Sequence, residues 1–459
     1  MKHEFLALIL AAGKGTRFKS EKIKVLHSLM GKPMLQLVVE SVAKLRAEKI
    51  YAVVGYQKQQ VMEECQSLPV EFVVQKRQLG TAHAVLAARE ILKKAGEKDL
   101  LVINADLPLL RPETLRPFLK VHQAQKNSLT FLSAVLENPT GFGRIIWEGN
   151  KIVKIVEEKD ATPSQRRLKE INAGVYLFKI KDLLWALPKV SNNNKKGEYY
   201  LTDVIEILIK AKKPVGCYQV PYPEEIIGIN SRYELAKAIE FLRHRKIKSL
   251  TESGVTIYDP STTWIDLEAK VGRDTIIYSS VIIEGKTVIG RQCQIYPFVH
   301  IQDSKIGHGA KILSSTMIER STVGHEAQVG PFTHLRPNTV IEQGAKIGNF
   351  VEMKNTTFGK YSKAGHLSYL GDCRVESKVN IGAGTITCNY DGQKKHKTYI
   401  GEGAFVGSGT ELVAPIKVGK KAYIGAGSTI TKDVSAESLA VARSKQIEKK
   451  GWSKRKRRK

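Results

Sequence analysis

Phe5-Leu-Ala-Leu-Ile-Leu-Ala-Ala-Gly-Lys-Gly-Thr-Arg-Phe18 is an apolar strand that runs straight into a small, glycine-rich, basic loop. A buried strand of this kind delivers the backbone N–H groups of Ala11, Ala12, Gly13 and Gly15 to one point. Only small residues let a ligand come close to that backbone. Lys14 and Arg17 add positive charge beside the amides, and such a site favours phosphates. The spacing is neither the Gly-x-x-x-x-Gly-Lys-Ser/Thr of a P-loop nor the Gly-x-Gly-x-x-Gly of a dinucleotide fold. Taken alone, the loop also allows an ordinary strand-to-loop turn.

Outward from this strand, the first half of the chain alternates strands and helices. Strand-like runs cover Phe5–Ala12, Ile50–Val54, Glu71–Gln75, Leu100–Ala105 and Leu129–Val135, and helical spacing covers Met34–Leu45 and Thr81–Lys93. That alternation predicts an α/β domain with a mostly parallel sheet. Ligands in such sheets bind at the carboxyl ends of strands, where the Gly13 loop and Asp106 both fall. Residues 143–159 read as a hairpin turned at Glu148-Gly149-Asn150. Ser231-Arg-Tyr-Glu234 is a capping-box signature, and Leu235, Ile239 and Leu242 follow at helical spacing. A helix to about Leu250 is expected there as a bridge. The boundaries expected are 1–229, a linker helix over 230–250, and 251–459.

From about residue 265 to 430 the chain is a repeat array. An Ile, Val or Phe followed by glycine recurs, the glycines standing at 272, 290, 307, 324, 330, 348, 359, 382, 401, 407, 419 and 425. The gaps are 18, 17, 17, 6, 18, 11, 23, 19, 6, 12 and 6, each a multiple of six or one residue from it. Hexapeptide periodicity predicts a parallel β-helix with three rungs to a coil of about 18 residues, the branched residue inward and the glycine at a sharp corner. Such a solenoid can be a passive scaffold. Two interruptions carry chemistry that packing does not require: Gly365-His-Leu-Ser-Tyr-Leu-Gly-Asp372, and the polar loop Thr387-Cys-Asn-Tyr-Asp-Gly392 running on to Lys397.

Bulk properties narrow the class. The 459 residues suit two or three domains. No apolar run is long enough to span a membrane, and no secretory signal is expected because the chain opens as a strand. Five scattered cysteines, at 65, 217, 293, 373 and 388, fit reduced thiols and a cytoplasmic location, with neither a disulfide frame nor a zinc site. The net charge is +28, and removing the eight cations of residues 449–459 leaves +20. The basic balance therefore belongs to the whole chain. Without an aromatic-interleaved basic motif, small polyanions fit it better than nucleic acid, and the tail reads as a solvated, disordered end.

Together, the Leu-Ala-Ala-Gly-x-Gly-Thr-Arg loop, the hexapeptide array and the Gly-His-Leu-x-Tyr-Leu-Gly-Asp segment resemble the bacterial bifunctional N-acetylglucosamine-1-phosphate uridyltransferases / glucosamine-1-phosphate acetyltransferases. The resemblance covers almost the whole chain. It implies a Rossmann-like nucleotidyltransferase domain followed by a left-handed parallel β-helix, a hand that departs from the usual crossover rule. It implies a homotrimer and two reactions. Acetyl-CoA acetylates glucosamine-1-phosphate, and the resulting N-acetylglucosamine-1-phosphate attacks UTP with release of pyrophosphate.

Site residues follow by motif. For UTP and the sugar nucleotide, Leu10, Ala11, Ala12 and Gly13 hold the nucleotide, with Lys14 and Arg17 along its phosphates and Lys24 reaching them. Gln75, Gly80 and Thr81 match uracil-binding positions, Asn104 and Ala105 match local substrate contacts, and Gly143, Glu157 and Asn172 match contacts to N-acetylglucosamine. Asp106 and Asn230 match the ligands of magnesium (Mg2+). One carboxylate and one amide suffice for an ion that completes its shell with phosphate oxygens and water. For acetyl transfer His366 matches the general base, in the right titration range to take a proton from an amine, with Glu352 expected to orient it. Arg336, Lys354, Tyr369 and Asn380 match glucosamine-1-phosphate contacts. Ala383, Asn389, Tyr390, Ser408, Ala426 and Arg443 match acetyl-CoA contacts. His300, His308, His325 and His334 lack such company and read as surface or structural residues.

Two positions depart from the pattern. Asn104-Ala105 stands where Tyr-Gly is usual before the aspartate, and Ile23 replaces a proline, which predicts a less rigid loop. Three other functions fit parts of the sequence: a sugar-1-phosphate nucleotidyltransferase with a purely structural, trimerising β-helix, a bifunctional enzyme for another nucleotide or hexose, and a nucleic-acid-binding scaffold.

Overall fold

The structure, a computed structural model, is described over residues 4–453. It divides into two compact units, one ending at Leu242 and the other beginning at Arg243. In the first unit the strands are β1 (Phe5–Leu10), β2 (Lys49–Val54), β3 (Glu71–Val74), β4 (Asp99–Asn104), β5 (Leu129–Val135), β6 (Arg144–Glu148), β7 (Lys151–Val156), β8 (Glu170–Lys179) and β9 (Val215–Gln219). The sheet runs β9-β5-β8-β4-β1-β2-β3, with β6 and β7 as a hairpin hung on β8. β1 lies centrally, parallel to β2 and β4, and β8 is antiparallel to both of its neighbours, β4 and β5. The period of two along β1 sends Phe5, Ala7 and Ile9 into one core and Leu6 and Leu8 into another. That is why the strand reads as a continuous apolar run. Each fully buried Leu or Ile contributes about 1.5–3 kcal/mol.

The second unit is a stack of short parallel strands. Partners along the stack sit 17 or 18 residues apart over most of its length, as in Ile283↔Ile301↔Ile318↔Leu335. The longest step is Asn380↔Phe405, and its excess is the polar loop after Thr387. The inward residues form one continuous core from Ile247 to Val434. This accounts for the hexapeptide pattern, since each apolar column stacks on its own copies.

Several boundaries move. β1 stops at Leu10 rather than Ala12 and β4 at Asn104 rather than Ala105. The helix expected over Thr81–Lys93 is two, α1 (Thr81–Leu86) and α2 (Arg89–Ala95). It breaks where Ala88 N–H donates to Val85 O, a tighter i→i−3 bond, while Ala88 is buried. The bridging helix runs Arg232–Glu252, and the division between units falls inside it. The array glycines also serve another purpose than expected. Of the twelve, Gly330 alone has a left-handed φ. At Gly272, Gly290, Gly307 and Gly324 a Cβ would lie 2.6–2.8 Å from the next coil, three times against its backbone. They permit close approach of coils. The left-handed corners are taken by other residues, among them Phe332, Phe350 and Leu367. The expectation of a disordered tail falls mostly on residues 454–459, outside the described residues.

Candidate active sites

β1, β2 and β4 end level, with Leu10 opposite Val53 and Asn104. Their loops therefore rise from one edge. Ala11 N–H donates to Val53 O at 2.8 Å, so this amide closes the ladder and does not face a ligand as expected. Open space surrounds the position a Cβ would take on Gly13. Gly15, at φ +63°, would place a Cβ 2.7 Å from Lys24 Cβ, so its lack of a side chain lets Lys24 pack under the loop. Ile23 is buried with φ −59°, the value proline would impose, and its apolar contacts hold this turn without the ring.

Lys24, Asp106 and Asn230 converge from distant parts of the chain. Lys24 Nζ lies 2.8 Å from Asp106 Oδ2 and 3.3 Å from Asn230 Oδ1. The Asn230 amide nitrogen donates to Gly228 O at 3.3 Å, which turns its oxygen toward the cation. Ile229 N–H donates to Asp106 O at 3.0 Å, tying the two segments together. An oxygen pair of this kind, here holding an ammonium, is the donor set a hard divalent cation takes. Among the described residues no group of three His, Cys, Asp or Glu could hold a metal, so such an ion would draw its remaining ligands from substrate and water.

Beside this lie the other expected contacts. Gln75 is buried, and its amide donates to Gly80 O and to His83 Nδ1. Gly80 sits at φ +114°, with no room for a Cβ beside Tyr199 O at 2.5 Å. Thr81 Oγ1 accepts from Leu201 N–H at 2.9 Å. Asn172 donates to the Tyr176 hydroxyl at 2.7 Å, its backbone N–H donates to Gly143 O, and Gly143 lies against Ile155 and Glu157. Asn104 packs over Gly174, where a Cβ would lie 2.5 Å from its Nδ2. The segment Tyr199–Asp203 was not singled out from sequence. It ties the halves of this pocket together, since Thr202 Oγ1 donates to Glu157 at 3.1 Å. Burial pushes the Glu157 carboxyl up, and burial with the neighbouring Glu157 pushes Asp203 up to about 6. A hydroxyl and acid in Thr202-Asp203 before an apolar helix was the only local signal.

The second constellation lies on the β-helix. Glu352 pairs with Tyr369 across adjacent coils, and Lys354 with Gly371. Arg336 Nη1 donates to Glu352 Oε1 at 2.7 Å. Glu352 is thus committed to Arg336, while His366 stands beside Asn349 in the ladder. The expected Glu352–His366 contact is not formed, because a corner at Leu367 separates His366 from the face bearing Tyr369. Lys395 and Arg336 crowd Lys354 and lower its pKa. Lys395, missed in the sequence, therefore joins an under-neutralised cation cluster suited to a phosphate. Asn380 is on the strand that pairs with Lys363, on the other side of the His366 corner.

The remaining positions form a column along that corner. Gly384 N–H donates to Leu367 O, Gly409 N–H to Ala383 O, Gly427 N–H to Ser408 O, and Arg443 Nη1 to Ala426 O. His366, Ala383, Ser408, Ala426 and Arg443 therefore stand coil upon coil, about 4.8 Å per step. Asn389 is buried and donates to Asp372 at 2.6 Å, and the Tyr390 hydroxyl donates to Gly392 O. Asp391 closes the loop, accepting from the backbone of Lys394 and Gln393 and pairing with His396 at 2.6 Å. These bonds hold its carboxyl far below the ordinary range. His308 and His325 accept backbone N–H bonds through Nδ1 and stack at 5.0 Å. His300 pairs with Glu284 at 2.7 Å, and His334 lies 3.8 Å from Glu319.

Residues 6–255 match the nucleotidyl transferase family, which is the class of the first unit. Residues 261–363 match the GMPPB C-terminal domain, and 397–432 the bacterial transferase hexapeptide repeats. The chain is 48% identical over 449 residues to the bifunctional protein GlmU of Geobacillus sp. (strain WCH70), covering 97% of each. It is 47% identical to GlmU of Geobacillus thermodenitrificans over 97% of each chain, and 47% identical to that of Fervidobacterium nodosum over 98% of this chain and 97% of that one. The chain belongs to the GlmU family of bifunctional uridyltransferase/acetyltransferase enzymes of UDP-N-acetylglucosamine synthesis.

Proposed function

We propose that the strand-end site carries uridylyl transfer and the corner column carries acetyl transfer. The observation behind the first assignment is the meeting of Lys24, Asp106 and Asn230 within 3.3 Å. In this reading an oxygen of N-acetylglucosamine-1-phosphate forms a bond to the α-phosphorus of UTP. The bond from that phosphorus to the bridging oxygen breaks, and pyrophosphate leaves. Lys24, Lys14 and Arg17 offset charge on the phosphates, and Gln75, Gly80 and Thr81 orient the base. Asp106 and Asn230 would hold Mg2+, which neutralises charge on the triphosphate when bound. Glu157, Asn172 and Gly143 seat the sugar, and Glu157 gains from a hydroxyl donor because its burial disfavours the free carboxylate.

For acetyl transfer, the amine of glucosamine-1-phosphate attacks the thioester carbon of acetyl-CoA, the thiolate leaves, and His366 takes the nitrogen's proton. Arg336, Lys354 and Lys395 supply the cations for the sugar's phosphate. The column from Ala383 through Ser408 and Ala426 to Arg443 gives an extended acyl carrier a straight track, with Asn389 and Tyr390 beside it. Asn380 stands across the corner from Arg336, Lys354 and Tyr369. That separation supports a site completed by a neighbouring copy, hence a homotrimer. No described helix is long and apolar enough to cross a membrane, and the five cysteines are unpaired. Both accord with a cytoplasmic enzyme. The deciding experiment mixes subunits carrying Arg336→Ala with subunits carrying Asn380→Ala. Recovery of acetyl transfer in reassembled mixtures is expected, and its absence would place the whole site on one chain.

A further inference from the structure

Asp106 lies five residues before Arg111, and Asn230 five residues after Glu225. Arg111 and Glu225 are bonded to each other. Glu225 is fully buried. Its Oε1 accepts from Arg111 Nε at 2.5 Å, and its Oε2 accepts from the Arg111 backbone N–H at 3.1 Å and from Thr114 Oγ1 at 2.7 Å. The Arg111 guanidinium also lies 4.7 Å from the centroid of the Tyr222 ring. Arg111 caps the helix Pro112–Ala124, so the carboxylate satisfies donors at that helix's first turn. Charge-assisted bonds in a buried setting are strong and directional. One carboxylate thus closes a loop between the two segments that bear Asp106 and Asn230.

We propose that Glu225 is a positioning residue for the divalent cation of uridylyl transfer, setting the distance between Asp106 and Asn230. The proposal rests on these two residues being the cation's protein ligands. Asn230 is held locally by Glu234, which accepts from its backbone N–H at 2.7 Å, and by Gly228 O, which accepts from its amide, and at longer range by Lys24 Nζ and by the Ile229 N–H bond to Asp106 O. Glu225 is the buried carboxylate that joins the two segments away from the ligand side chains themselves. Partners behind metal ligands commonly change metal affinity 10–100-fold when altered.

The test uses the full-length protein and Mn2+ as probe, titrated by electron paramagnetic resonance in the presence of UTP, alongside the Mg2+ dependence of uridylyl transfer. Glu225→Gln is expected to weaken Mn2+ binding about tenfold. It should raise the Mg2+ concentration for half-maximal rate equally, with kcat recovered at saturating Mg2+ and acetyl transfer unchanged. Thr114→Val, which keeps the ion pair and removes one donor, is expected to move both readouts in the same direction by about threefold. It decides the matter if Glu225→Gln does not fold. Unchanged Mn2+ affinity in the folded variants, with a fall in kcat alone, would overturn the proposal. Asp106→Ala separates the two layers: if it keeps wild-type Mn2+ affinity, the ligand assignment fails. If it loses binding while Glu225→Gln does not, the positioning role fails.

Discussion

The two candidate sites are assembled by opposite means. In the first unit, residues 24, 106 and 230 meet at one ammonium group, because Lys24 follows β1, Asp106 follows β4 and Asn230 follows β9, strands that all run in the same direction through the sheet. In the β-helix nothing converges that way. Residues stay in the column their rung assigns, so His366, Ala383, Ser408, Ala426 and Arg443 form a line, and Asn380 is left across a corner from Arg336 and Lys354. An α/β sheet concentrates chemistry within one chain. A solenoid displays it along a surface.

A crossed pair of variants assayed for both reactions tests whether the two sites are independent. Asp106→Ala should lower pyrophosphate release from UTP by about a hundredfold or more and spare acetyl transfer. His366→Ala should lower acetyl transfer by about a thousandfold and spare uridylyl transfer. Two folded variants that each lost both activities would show the sites to be one system. A smaller effect is expected at the cation cluster. Arg336→Ala removes a phosphate donor and frees Glu352 to repel the substrate, so KM for glucosamine-1-phosphate should rise about tenfold with a lesser change in kcat. An equal loss in KM for acetyl-CoA would move Arg336 to the other substrate.

Asp203 sharpens the first half of the comparison, because concentrating groups at one edge also buries acids together. Its folded pKa, about 6, lies above the ordinary 3.8. The folded state therefore holds the proton more tightly, and stability from this group is present below pH 4 and lost as pH rises through 6. Asp203→Asn should leave the unfolding temperature of the first unit unchanged at pH 4. It should raise stability at pH 8 by about 1 kcal/mol, a value reduced for solvent screening. A gain that is the same at both pH values would assign it to something other than ionisation. The smallest effect is expected for deletion of residues 449–459. Neither reaction should change by more than about twofold. A larger loss of acetyl transfer would extend the corner column beyond Arg443.

Much of this was legible beforehand, for physical reasons. The apolar run Phe5–Leu10 is continuous because it faces two cores, and the array glycines keep register because each coil repeats the contact below it. Lys24, Asp106 and Asn230 were readable through motif resemblance. Other features had no sequence signature. The break at Ala87–Ala88 interrupts a run of good helix formers, and the burial of Ala88 overrides local propensity there. Ile23 reproduced proline's φ through packing rather than through a ring. Lys395 and the Tyr199–Asp203 segment join their sites only through contacts distant in sequence.

The two architectures and their order along the chain follow from local pattern alone. Periodicity and small residues act between neighbours, and those rules are written residue by residue. That Ala11's amide closes the ladder, that Glu352 holds Arg336 and not His366, and that Glu225 bridges the Asp106 and Asn230 segments emerges with folding. Each of these is a choice among several partners of similar chemistry. The distances that settle such choices exist only once the chain has packed.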